Sequence, residues 1–478
     1  MEQETAVLLE APVERLMRQY AVPCMISLLT GALYNIVDQI FIGWGVGAAG
    51  NSATNIVFPL TVLALAIATM IGDAACSFLS IRLGCGDQDS ASRTAGSAIV
   101  LTVAAGIVLM AAYLIFTEQL LWVFGANDKM DESVRQYARE YFFWIALGIP
   151  VYMFGQAMNP IIRADGAPRL AMAATVSGAV ANVILDPIAI FVLDWGVMGA
   201  AVATVAGQVI TAAISMAYLF HMRTVHLQKR SFLLHGRLIA QFLPLGFTSF
   251  LSQFSLVLSM AVINNMVTIY GAVSVFSTDG TATIPMAVQG IVMKFFQIVI
   301  SVVVGMAAGC IPVVGFNYGA GRFDRCRRLM KCLLASEAAV GAAAFVLFQA
   351  FPVQLISIFG TDNAPEYFAF AKLAFRLYLC MMVPDCVNKA AFIFLQSLGR
   401  PVESTLLSLL REVVLAVPLA ILMPKLAAGW FGAENGIYGL LLSMPGAALL
   451  TFLAAVYVIW KTDRKLRAQL PGCSPEKK

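Results

Sequence analysis

Apolar residues run in long blocks along this chain, separated by short stretches that carry glycine, proline and most of the charge. A helix needs about 20 apolar residues, at about 1.5 Å each, to cross the hydrocarbon of a bilayer. By that measure the pattern predicts twelve spans, at about 18–44, 53–80, 94–116, 137–161, 170–193, 197–220, 238–268, 282–314, 330–350, 367–395, 403–424 and 436–460. The expected fold class is an all-α polytopic membrane protein. The loops around Asp128–Glu140 and Gly360–Glu366 have room for short surface helices.

An even number of spans puts both termini on one side, and basic residues decide which side. With the N-terminus inside, cytoplasmic segments hold 22 lysines and arginines, outer loops hold 4 (Lys129, Arg135, Arg139 and Lys425) and spans hold 5. Both termini are therefore expected in the cytoplasm, with the chain multi-pass in the cytoplasmic membrane. Met1–Gln19 mixes acids and bases and runs into the first span without a cleavage pattern, which reads as an uncleaved lead-in. The resulting division is an N-terminal segment 1–17, a first lobe 18–222, a linker 223–237, a second lobe 238–460 and a basic tail 461–478.

Composition agrees with the pattern. The chain is 60% hydrophobic and 12% charged, with a mean hydropathy of +0.82, whereas soluble domains carry about 25% charged residues. A net charge of +4 spread over short loops argues against a nucleic-acid partner. The nine cysteines form no CxxC pair and the three histidines (His221, His226, His235) share one loop, so neither a disulfide framework nor a zinc site is indicated. No segment is long enough for a soluble ATPase domain, and no phosphate-binding Gly-x-x-x-x-Gly-Lys-Ser/Thr occurs. His-Glu-x-x-His and Gly-x-Ser-x-Gly are also absent, so an intramembrane enzyme is not expected. Pumping by this chain alone requires an ion gradient rather than a cofactor.

Three short motifs recur. Leu83-Gly84-Cys85-Gly86 returns as Tyr318-Gly319-Ala320-Gly321, Asp165-Gly166-Ala167-Pro168 as Leu398-Gly399-Arg400-Pro401, and Gly196-Val197-Met198-Gly199 as Gly436-Ile437-Tyr438-Gly439. The offsets are 235, 233 and 240 residues, each six spans apart. Glycine and proline turns recur wherever short loops join helices, but three pairs in the same order point to duplication. Six spans restore the original orientation, so two six-helix lobes are expected, related by a parallel pseudo-twofold axis. Such repeats place a substrate cavity between lobes that rock against each other.

Within this apolar background, Asp186 and Asp38 stand out. A charge at bilayer depth costs about 2.5–3.5 kcal/mol on insertion scales, and intramembrane acids mark pathways or partners. Asn182 lies one turn before Asp186 on the same helix face. Pro187 cannot donate to the carbonyl of Val183. Tyr34, Asn35 and Asp38 form a second polar face on the first span. Carboxylate, amide, hydroxyl and freed carbonyl are the oxygen ligands that a small hard cation prefers. The plainer reading is that these acids are satisfied by Tyr34, Asn35 and Asn182 and only pin helices together, and Thr204 taken alone reads as a packing hydroxyl.

The run Leu33–Gly43, together with Asn51-Ser52-Ala53-Thr54-Asn55, Arg163-Ala164-Asp165-Gly166, Asn182–Pro187, Gly315-Phe316-Asn317-Tyr318-Gly319-Ala320 and Leu398-Gly399-Arg400-Pro401, resembles the multidrug and toxic compound extrusion (MATE) family, specifically its MepA-like bacterial branch. The resemblance extends from about Pro23 to Trp460. It implies a two-lobed antiporter that exports organic cations or drugs in exchange for protons or sodium ions. It also implies a cation-coupling site at Asp38, Asn182, Asp186 and Thr204, with Tyr34 beside it, and a bending hinge at Pro23. Sodium, if it is the coupling ion, would sit among those four residues. Counted from the outer ends of their spans, Asp38, Asp186 and Thr204 lie about 9, 12 and 12 Å deep, a shared depth. The partners so implied are small organic cations and the lipid bilayer, and the chain is read as a monomer.

The second half is not a copy of this site. Aligned on the repeat, Leu415, Leu419 and Ser259 stand opposite Asn182, Asp186 and Asp38. Its spans hold Lys294, Lys372, Arg376, Asp385, Lys389, Arg411 and Glu412 instead. Asp385 and Lys389, four apart, read as a pair on one helix face, whereas Arg411 and Glu412 lack a local partner. Asp73, near the cytoplasmic end of its span, reads as satisfied by solvent or Arg82. A flippase for a lipid-linked saccharide is the alternative function for this architecture, and the acids on the first and fifth spans argue against it.

Overall fold

The computed structural model describes residues 8–124, 131–277, 282–357 and 365–469, and every regular element among them is helical. The first half comprises α1 (Val13–Gly45), α2 (Ala48–Gly84), α3 (Gln88–Ile115), a short α4 (Thr117–Val123), α5 (Glu132–Ala164), α6 (Pro168–Pro187) and α7 (Gly196–Leu219). The second half comprises α8 (Gly236–Phe242), α9 (Phe247–Val273), α10 (Thr283–Gly319), α11 (Phe323–Ala350), α12 (Pro352–Ser357), α13 (Pro365–Tyr378), α14 (Met382–Ser397), α15 (Pro401–Leu409), α16 (Ala416–Phe431) and α17 (Gly436–Ala468). Among the described residues, eleven helices are long and apolar enough to cross a membrane, and α13 with α14, taken as one span bent by 45°, makes a twelfth. The tenth predicted span is thus broken. Pro384 has no N–H for the carbonyl of Cys380 and crowds it, so the helix interrupts one turn earlier. Of the two loops expected to hold surface helices, 125–130 and 358–364 lie outside the described residues, and α4 precedes the first of them.

The chain divides into two compact units. One is Met1–Gln253 with Ala308–Arg322 and Gln396–Pro401; the other is Phe254–Ala307, Phe323–Leu395 and Val402–Lys478. In the first, Ile42, Val57, Leu60, Phe142, Ile145 and Met153 form the centre of a buried cluster, and the Tyr113 hydroxyl donates to the carbonyl of Leu60 at 2.7 Å. In the second, Val288, Phe348, Phe370, Phe375 and Leu440 do the same.

Local chemistry sets the helix ends. Asp87 caps α3, its carboxylate accepting from the Ser90 N–H at 3.1 Å. A hydrogen bond with the Ser90 side chain comes first, and the Ser90 N–H and the nearby Arg82 and Arg93 add to it, in holding the Asp87 carboxyl below its ordinary range. Pro168 opens α6 at a position where a missing N–H costs nothing. The turn before it is fixed by Asp165, fully buried, whose two oxygens accept from the Tyr218 hydroxyl, the Thr224 hydroxyl and the backbone N–H groups of Arg223, Thr224 and Val225 at 2.6–2.9 Å. One carboxylate thereby ties the α5–α6 turn to the chain leaving α7.

The first repeated motif meets its own copy. A Cβ added to Gly84 would stand 2.1 Å from the Phe316 carbonyl oxygen, and one added to Gly319 would stand 2.1 Å from the Ile81 carbonyl oxygen. Phe316 follows Ile81 by the same 235 residues by which Gly319 follows Gly84. The contact between α2 and the end of α10 is therefore reciprocal, as at a twofold axis, and only glycine lets the backbones approach this closely.

Candidate functional site

Helix α6 buries one stripe, Ala174, Gly178, Asn182 and Asp186, repeating every four residues. Glycines let α7 press against it. A Cβ on Gly178 would lie 2.5 Å from the carbonyl oxygen of Gly207, and one on Gly207 would lie 2.6 Å from that of Gly178. One turn further along, the Asn182 amide donates to Asp186 Oδ1 at 3.1 Å and to Thr204 Oγ1 at 3.3 Å. Asp186 and Asn182 are buried, at 0% and 2% exposure. Immediately after Pro187 the helix widens into a π-turn over Ile188–Val192, a distortion that accompanies proline and recurs at functional sites.

Helix α1 brings Asp38 to the same place. Asp38 and Asp186 are within side-chain hydrogen-bond reach of each other, and Tyr34 lies beside both. Five of the six residues singled out in the sequence thus converge: Tyr34, Asp38, Asn182, Asp186 and Thr204. Pro23 does not. It is buried inside the continuous α1, 15 residues and therefore about 22 Å from Asp38, and its carbonyl accepts from the Ser27 hydroxyl at 2.9 Å.

The acids are not neutralised by neighbouring side chains. Asp38 Oδ1, Asp186 Oδ2 and Asn182 Oδ1 are buried without a hydrogen-bond partner, and the Asn35 amide donates to the carbonyl of Gly31 instead. Two like charges about 4 Å apart repel by about 4 kcal/mol even at an effective dielectric of about 20. The arrangement therefore calls for a cation, either a proton held by one carboxyl or a small metal ion among the three free oxygens and the Thr204 hydroxyl. Among the described residues no cluster of three or more His, Cys, Asp or Glu side chains offers a transition-metal site. Tyr141 of α5 is buried within electrostatic range of both acids and Tyr34. Nothing in the sequence distinguishes it from an ordinary interfacial tyrosine, because its proximity arises only from helix packing.

Other intramembrane charges are placed differently from expectation. Asp73 is not paired with Arg82, which bonds Asp87 at 3.5 Å. It faces the buried Arg163 at 3.8 Å and accepts from the Ser249 hydroxyl at 2.8 Å, while Arg163 also contacts Cys24. In the second unit Asp385 and Lys389 pair across helices rather than with each other. Arg411 holds Asp385 at 2.5 Å and Glu412 at 2.8 Å, Lys389 contacts Glu412, and the Ser255 hydroxyl donates to Glu412 at 2.9 Å. Two acids and two bases close on themselves there, on a span that carries its own π-turn over Leu410–Leu415. A cavity of about 940 Å³ opens elsewhere, walled by Arg15, Arg18, Arg169 and Arg223 beside the start of α6, and includes none of the acid-site residues.

Comparison with known proteins identifies the fold and the family. The chain is 23% identical over 455 residues to the multidrug export protein MepA of Staphylococcus aureus (strain MRSA252), covering 94% of each. Its fold matches the structure of the MATE multidrug transporter DinF-BH, with a TM-score of 0.84 and 28% identity over 96% of this chain and 97% of that one. It equally matches a MOP superfamily transporter from Pyrococcus furiosus (TM-score 0.83, 23% identity, 97% and 98% covered), whose binding pocket is described as having a reversed polarity that suggests a different function. The two-lobed, twelve-helix architecture is shared with these structures. The MatE family model matches twice, over residues 23–188 and 257–422, once in each half of the duplicated chain. This multi-pass membrane protein belongs to the MatE family.

Proposed function

We propose that the chain is a secondary active antiporter that exports organic cations or drugs across the cytoplasmic membrane in exchange for protons or sodium ions. The observation that carries the reading is the convergence of Asp38 and Asp186 from separate spans, with three buried oxygens left without protein partners. In this reading Asp38 and Asp186 bind the coupling cation. Asn182 fixes the orientation of Asp186 and Thr204, and Tyr34 flanks the pair. Pro23, inside α1, is the hinge at which that helix bends to couple cation binding to transport. The names of the relatives support export of drugs, and the excess of lysine and arginine in alternate loops supports cytoplasmic termini.

The driving force is adequate. A proton entering down about 150 mV releases roughly 3.5 kcal/mol, about 2.5 decades of gradient at roughly 1.4 kcal/mol per decade. A monovalent drug cation leaving cancels the voltage term for one proton, and two carboxyls can carry two. Export is therefore expected to depend on voltage. The test is ethidium efflux from energised cells at matched membrane expression. Wild type exporting while Asp186→Asn does not supports the reading, and replacing sodium by choline then names the ion. Equal export by both would remove Asp186 from the coupling role.

A further inference from the structure

The second unit contains an acid that its closed charge network does not use. Helix α11 buries the stripe Cys326, Leu329, Met330, Leu333, Glu337, Gly341, Ala344 and Phe348, spaced by threes and fours. Glu337 sits in its middle, about 20 Å from either end of the helix, and is 0% exposed. Both of its carboxylate oxygens are without a hydrogen-bond partner. An unpaired carboxylate at such depth is among the most expensive groups to bury, and a proton removes that cost at once. Among the described residues no group of three or more His, Cys, Asp or Glu side chains surrounds Glu337 to hold a metal ion in its place.

The surroundings give the proton a reason to move. One turn beyond Glu337, a Cβ on Gly341 would lie 2.9 Å from the Cα of Val383 and 3.2 Å from Cys386 Sγ, so α11 and α14 touch backbone to backbone. Cys386 lies within electrostatic range of Glu337, Asp385 and Arg411. Helix α14 therefore presents Cys386 towards Glu337 and carries Asp385 and Lys389, whose partners Arg411 and Glu412 lie across it. From the other packed elements, α17 offers no acid or base between Gly439 and Trp460 other than Tyr457, and α13 contributes Lys372, Arg376 and Tyr378. None of these groups bonds Glu337. A change in the packing of α14 against α11 alters the surroundings of the Glu337 carboxyl, and surroundings that are less apolar or more cationic favour release of the proton.

We propose that Glu337 is a second proton-binding site, in the unit that lacks the aspartate pair: its carboxylate takes up one proton to become a neutral acid and releases it when the packing of α14 changes during transport. The inference rests on the antiport reading above. The test uses purified full-length protein in vesicles, with ethidium as substrate, counting protons moved per ethidium for wild type, Glu337→Gln and Asp186→Asn. Infrared difference spectra on ethidium binding are recorded alongside. The expected result is that Glu337→Gln still exports but moves fewer protons per ethidium and has a flatter pH profile. Wild type should show a carboxylic-acid carbonyl band that changes on ethidium binding and is missing in Glu337→Gln. An unchanged proton count and pH profile, with Asp186→Asn inactive, overturns this inference and leaves the antiport reading standing. Wild type that moves no ion with ethidium overturns both. If Glu337→Gln does not reach the membrane, Glu337→Asp decides by the band alone: a substrate-sensitive band displaced by the shorter acid supports the proposal, and a band insensitive to ethidium overturns it.

Discussion

An amide at position 186 keeps the shape of the aspartate but can neither hold a charge nor give up a proton. Asp186→Asn and Asp38→Asn are each expected to reduce ion-driven ethidium efflux to background while leaving Tm within a few degrees, since each removes a repulsion rather than a bond; efflux and fluorescence-detected melting check the two halves of that statement. Asp165 is the opposite case. Asp165→Ala strands three backbone N–H groups and two hydroxyls, and is expected to cost about 2–4 kcal/mol, read as a drop in Tm that Asp165→Asn only partly reproduces. The aspartates of the proposed coupling site were singled out in the sequence because acids are rare in apolar runs and because Asn182 stands one turn from Asp186. The partners of Asp73, Asp385 and Lys389 were not, because they arrive from helices far away in the chain. Glu337 was hidden for a further reason: flanked by Ala335, Ser336 and Ala338, it resembles a solvated face until the buried stripe of α11 is known.

Elements position these groups through close approach. Gly178→Ala would put a methyl group 2.0 Å from Thr211 Oγ1 and 2.5 Å from the Gly207 carbonyl oxygen. It is expected to push α6 from α7, separate Asn182 from Thr204 and lower export at least tenfold with the protein still in the membrane, which initial efflux rates at matched expression measure. At the α3 cap, Asp87→Ala is expected to cost about 1 kcal/mol. The sign of its pH dependence follows from a carboxyl held below its ordinary value of about 3.9. The cap's contribution is present above that value and is lost as pH falls through the lower folded-state value, so wild type and variant should converge in Tm in acid. Span number and location were readable from apolar length. The break between α13 and α14 was not, since proline also occurs inside helices that stay continuous, such as Pro23 in α1, and only the bend reveals where the helix yields.

At the scale of the whole molecule, duplication was visible as three recurring motifs, and the two matches to one family model, over residues 23–188 and 257–422, take in the first two of those pairs. The halves have since diverged in chemistry. One gathers two acids without cations, while the other closes Asp385, Lys389, Arg411 and Glu412 into a neutral set. The contact of Gly84 with Gly319 has kept its symmetry. Each glycine faces the residue three positions before the other, so Gly84→Ala and Gly319→Ala introduce the same wedge from opposite sides. The two variants are expected to show matching losses of Tm and of efflux, and a marked difference between them would mean the contact is reciprocal in geometry only. A contact that presents the same face to both repeats carries no direction of its own. For the antiport proposed above, the distinction between one direction and the other must then be sought in the unequal charge chemistry of the two halves, and the glycine contact is neutral to it.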